Sequence, residues 1–147
     1  MMEIKNHILQ NIKFLKSPNF NERPHNTKIS LIVIHAISLP PKKYNNDHIE
    51  KFFLNELDFS LDSFYKDIEG LKVSSHILIK RDGEIIQFVP FNMRAWHAGV
   101  SSFQNKDNCN DFSIGIELEG SEDGTPIATQ PTPSGQGPGI TDFSVQQ

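Results

Sequence analysis

Three histidines and a pair of glutamates are the residues of this chain whose types and spacing could carry out hydrolysis. The histidines are His35, His76 and His97, and the glutamates are Glu117 and Glu119. Imidazoles from separate strands can hold a catalytic zinc ion, which activates a water molecule and polarises a carbonyl group. By itself, however, a histidine at the end of a strand is more often a core or edge residue than a ligand. His76, in the middle of a predicted strand, favours a core or hydrogen-bonding role.

The two glutamates lie on one predicted strand. Because side chains alternate along a strand, Glu117 and Glu119 point to the same face, about 7 Å apart. The paired carboxylates of a glycosidase usually face each other across a cleft, so this spacing argues against that reaction. Two interpretations remain: a solvated strand edge, or a carboxylate that moves a proton beside an activated water.

Strands are predicted at the places that carry these side chains. Residues 30–35 form a continuous β-branched run, which is typical of a strand covered on both faces, and residues 112–118 are also strand-like. Residues 73–80 and 84–89 are predicted to form a hairpin around the turn Asp82-Gly83.

Helices are predicted before and between these strands. The first would cover residues 6–15, and a second would begin at Asp47, with Glu50 in the capping-box position, and run to about Leu57. Residues 60–68 favour one or two further helical turns. Helices mixed with strands indicate an α/β or α+β domain with a mixed central β-sheet flanked by helices.

The composition excludes several classes of function. A net charge of −4 with a pI near 5.8 provides no basic surface for nucleic acid. Cys109 is the single cysteine, so no intrachain disulfide can form, and this suits a reducing compartment. We find neither a secretory signal nor a membrane-spanning run of apolar residues. We therefore expect a cytoplasmic monomer that binds neither nucleic acid nor a membrane.

Three motifs in order, between about Ser17 and Gly120, resemble the AmpD family of peptidoglycan-recycling zinc amidases. They are Ile32-Val-Ile-His-Ala-Ile-Ser-Leu-Pro-Pro41, Arg94-Ala-Trp-His-Ala-Gly99 and Asp111-Phe-Ser-Ile-Gly-Ile-Glu-Leu-Glu-Gly120. The resemblance implies an N-acetylmuramoyl-L-alanine amidase-like fold. It also implies zinc-dependent hydrolysis of the amide between muramic acid, usually in its 1,6-anhydro form, and L-alanine.

The same resemblance implies roles for five residues. His35 would be a zinc ligand, and Glu117 would be the general acid and base beside the zinc-bound water. Trp96 and His97 would line the rim of the substrate cleft, and Lys72 would bind the anionic muropeptide. An alternative for the Trp96 segment is a turn whose indole fills the core.

The C-terminal part departs from the family. The family completes its zinc site with Gly-His-x-x-Ile-Ala-Pro and Lys-x-Asp-Pro-Gly motifs, and neither occurs here, since no histidine follows His97. Residues 121–147 contain four glycines and four prolines and are predicted to be disordered, either as a natural tail or because they are read out of frame. We therefore predict a partial amidase-like domain over residues 1–120 that is truncated or frameshifted and inactive. The alternative is a catalytically dead muropeptide-binding or vestigial protein.

Overall fold

A five-stranded mixed sheet organises the fold, which a computed structural model describes for residues 1–121. In sequence order the strands are β1 (Ile4–Lys5), β2 (Ile8–Leu9), β3 (Lys13–Phe14), β4 (Phe20–Glu22), β5 (Leu31–Ile37), β6 (Ile77–Ile79), β7 (Ile85–Gln87), β8 (Met93–Ala95), β9 (Ser102–Phe103), β10 (Lys106–Asp107) and β11 (Ser113–Glu119). The helices are α1 (His48–Phe53), α2 (Tyr65–Ile68) and a 3₁₀ helix (Cys109–Asp111).

The order of the strands in the sheet is β3-β7-β6-β11-β5. Strand β11 is parallel to both of its neighbours, β5 and β6, whereas β6 and β7 are antiparallel and β7 is parallel to β3. This arrangement confirms the predicted mixed sheet and the α+β class. The two longest strands, β5 and β11, lie side by side and carry His35 of the first motif and Glu117 of the third.

The predicted strands are confirmed in their order and place, although β6 and β7 are only three residues long, much shorter than the predicted strands at 73–80 and 84–89. The β-branched run at 30–35 becomes β5, and the strand predicted at 112–118 becomes β11. The turn Asp82-Gly83 joins β6 to β7, and Gly83 takes a φ of 91°, which a residue without a Cβ adopts at little cost. Turn chemistry and β-branching are local signals, so the sequence alone reveals them.

The predicted helix over residues 6–15 is wrong. This segment forms the β1–β2 hairpin and then β3, which pairs with β7. Asn6 and His7 both take positive φ, as a two-residue hairpin turn requires, and the side-chain carbonyl of Gln87 accepts a hydrogen bond from the backbone N–H of Leu9. Pairing with the rest of the fold thus outweighs the helical pattern of the segment.

The helices are shorter than predicted. Helix α1 begins after Asp47 but has no side-chain cap, because the Asp47 carboxylate pairs with Lys51 at 3.0 Å. The predicted capping box is wrong, since the carboxylate of Glu50 is buried and pairs with Lys80 at 2.8 Å. Helix α2 occupies one turn within the predicted 60–68 region.

The two faces of the β5–β11 pair differ in their covering. One face is buried by the main core, which includes Phe53 and Phe88 with ring centroids 5.1 Å apart, and by a smaller cluster around Val33 and Cys109. On the other face Ile32 is 54% exposed and borders an open apolar groove that also contacts the β1–β2 hairpin. The prediction of a strand covered on both faces is therefore wrong for the residues that the structure describes.

Two further predictions concern the C-terminal tail and the absence of a membrane-spanning segment. The predicted disorder and altered reading frame concern residues 121–147, and all of these except Ser121 lie outside the described residues. Within residues 1–121, no helix is long and apolar enough to cross a membrane.

Candidate active site

His35 and Glu117 form the centre of the site. They are direct partners across the parallel strands β5 and β11, so their side chains point to the same face of the sheet. His35 is 0% exposed and Glu117 is 1% exposed. The fold thus buries an imidazole and a carboxylate next to each other at the carboxyl-terminal end of the parallel pair, on strands that hold their backbones rigidly.

Glu117 is a strongly desolvated carboxyl group. Burial raises the pKa of Glu117 well above its ordinary value. Within residues 1–121, its Oε2 is buried and accepts no hydrogen bond. A carboxyl group whose charged form is destabilised in this way is suited to taking up a proton and giving it back.

His97 lies against His35 rather than at the surface. Its Nδ1 is 3.0 Å from the Nε2 of His35, and its Nε2 is 3.0 Å from the hydroxyl of Ser113. Desolvation, followed by the proximity of His35, lowers the pKa of His97 well below its ordinary value, so the ring is neutral. His97 is 0% exposed, which places it beneath the surface and not on the predicted rim.

The backbone at His97 is held by the side chain of Asn110. The amide oxygen of Asn110 accepts hydrogen bonds from the N–H groups of His97, at 3.0 Å, and of Ala98, at 2.9 Å. The His97 ring then fills the space above Gly115, where a Cβ would stand 2.7 Å from its Nδ1. Both ends of the residue are fixed, since the backbone and the ring each have specific contacts.

His76 is a structural histidine. Its Nδ1 accepts the N–H of Gly115 at 3.1 Å, so its Nε2 carries the proton and donates to the carbonyl of Met93 at 2.9 Å. Burial lowers the pKa of His76 to about 4. Because both nitrogens are used within the fold, this ring has no lone pair for a ligand, which confirms the predicted hydrogen-bonding role.

Arg23 fastens the strand that carries Glu117. Its guanidinium donates to the carbonyls of Asn110, Asp111 and Ser113 at 3.0, 2.8 and 2.8 Å, and to the carbonyl of Phe91 at 3.1 Å. Burial lowers its pKa to about 10, although the group stays charged at neutral pH. The arginine therefore binds the start of β11 to the segment before β8.

The other two predicted substrate-binding residues, Trp96 and Lys72, are less buried than His97. Trp96 is half-buried, and its indole N–H donates to the amide oxygen of Asn21 at 3.1 Å. Lys72 is exposed, two residues before Ser74, whose N–H donates to the carbonyl of Trp96 at 3.0 Å. Trp96 belongs to neither of the two core clusters, which argues against the core-filling alternative.

The residues of the site do not by themselves fit a zinc ion. A catalytic zinc takes three protein ligands and leaves one position for water. Residues 1–121 contain no group of three or more His, Cys, Asp or Glu side chains placed to hold a metal. His35 supplies one imidazole, while His76 is fully engaged by Gly115 and Met93.

Sequence reasoning missed Arg23, Asn110, Ser113 and Gly115. Only Gly115 carried a local signal, because an isolated glycine inside a strand indicates close approach of another group. Cys109 is buried, and burial raises the pKa of its thiol. Glu119 is also structural, because its two oxygens accept the N–H groups of Asn45 and Arg81, both at 3.1 Å.

Comparisons with known proteins support the resemblance seen in the motifs. The sequence pattern of the N-acetylmuramoyl-L-alanine amidases matches residues 25–136. The chain is 47% identical over 121 residues to the 1,6-anhydro-N-acetylmuramyl-L-alanine amidase AmpD of Haemophilus influenzae, covering 82% of this chain and 66% of the relative. It is 50% identical over 106 residues to the protein of the same name in Escherichia coli, covering 72% and 58%.

Solved structures give the same result. A crystal structure of a selenomethionine AmpD derivative matches with a TM-score of 0.81 at 44% identity, covering 87% of this chain and 70% of that one. The solution structure of Citrobacter freundii AmpD matches with a TM-score of 0.55 at 46% identity, covering 82% and 65%. The chain thus spans less than two thirds of the length of the curated relatives it matches.

Proposed function

Because this chain belongs to the N-acetylmuramoyl-L-alanine amidase family, we propose that its site is built to hydrolyse the amide between the lactyl group of muramic acid and L-alanine. The names of the relatives favour the 1,6-anhydro form of the sugar as substrate. Such fragments arise in peptidoglycan recycling. The observation that carries this proposal is the buried, directly paired arrangement of His35 and Glu117.

Glu117 has the central role in the proposed reaction. A water molecule attacks the amide carbonyl, and the Glu117 carboxylate takes one proton from that water. The protonated carboxyl group then donates the proton to the amide nitrogen as the carbon–nitrogen bond breaks. The products are the carboxylic acid of muramic acid, which keeps the second proton of the water, and the free amine of the L-alanyl peptide; transfer of that proton to the amine then gives a carboxylate and an ammonium group, so atoms and charges balance. The raised pKa of Glu117 favours the first half of this exchange, in which the carboxylate takes up the proton.

Zinc is the cofactor expected for the family, with His35 as one ligand. When bound, such an ion polarises the carbonyl and lowers the pKa of water. One imidazole is too few for tight binding, and no histidine follows His97 in the 147 residues. We therefore propose that this 147-residue chain alone neither binds stoichiometric zinc nor turns over substrate.

Muropeptide binding without hydrolysis is the second candidate. It is favoured by the half-buried Trp96, whose indole face suits a sugar ring, and by the exposed charge of Lys72. Neither residue depends on a metal. A reducing, cytoplasmic location is part of both proposals and is supported by the single free thiol of Cys109.

A paired assay tests the two candidates on the purified chain. Zinc is titrated by calorimetry, and release of the L-alanyl peptide from an anhydro-muropeptide is followed by chromatography. Trp96 is the single tryptophan, so its fluorescence reports binding directly. We expect quenching by the muropeptide, weaker binding in Lys72→Ala than in the control Lys106→Ala, and no peptide release.

The outcomes separate the candidates. Zinc-dependent release that is lost in Glu117→Gln would support the amidase and overturn the inactivity of this chain. Release that survives in Glu117→Gln would overturn the role given to this carboxyl group. Without quenching or release, the binding candidate would fail.

A further inference from the structure

The indole of Trp96 lies on the outer face of the ribbon formed by β4 and β8. In this antiparallel pair Phe20 stands opposite Ala95, and Asn21 stands opposite Arg94. Ala95 is part of the main core and Phe20 packs against that core. Because side chains alternate along a strand, Asn21 and Arg94 share the face that is turned away from the core, and Trp96 reaches the same face through its contact with Asn21.

The side-chain amide of Asn21 is held in one orientation. Its Oδ1 accepts the indole N–H of Trp96 at 3.1 Å and lies 3.4 Å from the Nη1 of Arg94. An indole N–H and a guanidinium are both donors that cannot accept a hydrogen bond. The oxygen of the amide must therefore face them, so the orientation of Asn21 follows from its two neighbours.

Arg94 is fixed in turn by Asp111. The Nε of Arg94 donates to the Asp111 carboxylate at 2.6 Å, and both side chains are partly buried. Charged hydrogen bonds of this length are among the stronger ones in proteins. The edge of the Trp96 ring is thus connected, through two polar side chains, to the 3₁₀ helix that precedes β11.

The backbone of Trp96 is fixed independently of its ring. Its N–H donates to the hydroxyl of Ser74 at 3.1 Å, and its carbonyl accepts the N–H of Ser74 at 3.0 Å. Ser74 is buried. Because an indole has a single donor and Asn21 occupies it, the fixed ring offers a ligand its apolar face.

We propose that Asn21 is a positioning residue that holds the Trp96 indole by its N–H, so that the ring recognises a sugar through its face and not through a hydrogen bond. This inference rests on the muropeptide binding proposed above. Asn21 acts through Trp96 and does not touch the sugar. A side chain that is already ordered loses less conformational freedom when a ligand binds, so the hydrogen bond should increase affinity.

NMR and fluorescence test this proposal on the 147-residue chain. Trp96 is the single tryptophan, so one indole N–H signal and one emission spectrum report on it. The probe is 1,6-anhydro-N-acetylmuramyl-L-alaninamide, which carries the sugar without a charge. The exchange of the indole proton with water is measured with and without the probe, and the affinity for the probe is measured by quenching.

Asn21→Leu and Asn21→Asp form a matched pair of similar size. Leucine removes the acceptor, so we expect the indole proton to exchange about fivefold faster and the probe to bind about fivefold more weakly. Aspartate keeps an acceptor, so both values should stay within about twofold of wild type, and the neutral probe is not repelled by the added charge. Glu22→Ala, an exposed change at the next position of β4, is the control and should alter neither value.

Several outcomes would overturn the proposal. Unchanged exchange in Asn21→Leu would show that Asn21 does not hold the ring, and unchanged affinity would show that holding it does not assist binding. Faster exchange of the wild-type indole proton in the presence of the probe would show that the sugar takes the N–H from Asn21. Urea unfolding of each variant identifies weaker binding that merely follows a loss of stability, which Asn21→Asp would then fail to restore.

Failure of this inference and failure of the proposed function are separate results. If the neutral probe does not bind the wild-type chain, recognition of the sugar by Trp96 is wrong. Binding of the anionic muropeptide through Lys72 is decided by the paired assay described above, which uses a different ligand.

Discussion

The imidazole of His97 occupies the space in which a side chain at Gly115 would stand. A Cβ at this position would lie 2.7 Å from the Nδ1 of His97, closer than real Cβ contacts allow. Strand β11 therefore has a gap in its side chains directly between Ser113 and Glu117. Because Gly115 has no side chain, the ring of His97 can pack against strand β11 and contact His35. The packing of the strand and the position of His97 therefore both depend on this glycine.

We predict that Gly115→Ala destabilises the chain by about 1–3 kcal/mol, since an added methyl group must displace the ring or the strand. Urea unfolding measures the change. The double variant with His97→Ala is the control, because removing the ring removes the collision. The double variant should lose less free energy of unfolding than the sum of the losses in the two single variants. Simple additivity would contradict the steric account.

The burial of Glu117 predicts an unusual pH dependence. Its folded pKa is raised, so the folded state holds the proton more tightly than the unfolded state. This group stabilises the fold fully below the ordinary value of 4.5 and loses that contribution as pH rises through the folded pKa. With a chelator present, Glu117→Gln should thus be more stable than wild type at neutral pH, and the difference should shrink in acid.

Glu119 provides the contrast to this prediction. It lies two residues further along the same strand and is also buried, but both of its oxygens accept backbone N–H groups. Glu119→Gln loses one acceptor and should be less stable than wild type at neutral pH. Equal effects of the two substitutions on chemical unfolding would show that the orphaned oxygen of Glu117 has no special cost.

His76 predicts the opposite slope at lower pH. Its pKa falls from 6.5 to about 4 on folding, so the unfolded chain takes up a proton that the folded chain excludes. The stability it provides is complete above 6.5 and is lost toward pH 4, by about 3 kcal/mol. In His76→Asn, whose amide oxygen can replace the Nδ1 acceptor, this part of the slope should vanish. His25→Asn is the control on the surface, and an equal change of slope there would contradict the assignment.

Arg23→Ala should cost about 2–4 kcal/mol, because it removes the donor shared by four backbone carbonyls. Arg81→Ala is the control: this exposed arginine lies over the ring of Tyr44 at 4.4 Å, and its loss should cost less than about 1 kcal/mol. Thermal unfolding compares the two variants. A similar loss of stability in both variants would show that the hydrogen bonds of Arg23 contribute little to the stability of the fold.

The central strands and the hairpin could be predicted because their signals are local. The β-branched run before His35 and the turn at Asp82-Gly83 each specify a conformation within a few residues. The segment 6–15 could not be predicted, since its pairing with β7 depends on contacts about 70 residues away in the sequence. Periodicity carries no information about such partners.

The residues of the site were also predictable only in part. The motifs identify His35 and Glu117, but the sequence does not show that they are neighbours in register or that burial raises the pKa of the carboxyl group. His97 lies in a recognised motif, yet its position beneath the surface follows from Asn110 and Gly115. The partners of Arg23 are backbone carbonyls, which are present in every residue and so leave no pattern in the sequence.

Arg23 has a consequence for the limits of the folding unit. The pattern shared by the family begins at residue 25, just after this side chain. An expressed fragment that begins there would keep every residue proposed for chemistry and lose the cation that ties the start of β11 to the carbonyl of Phe91. The first residue of the shared sequence pattern is therefore not the first residue that the fold needs. The fold needs a chain that begins nearer the N-terminus and includes Arg23.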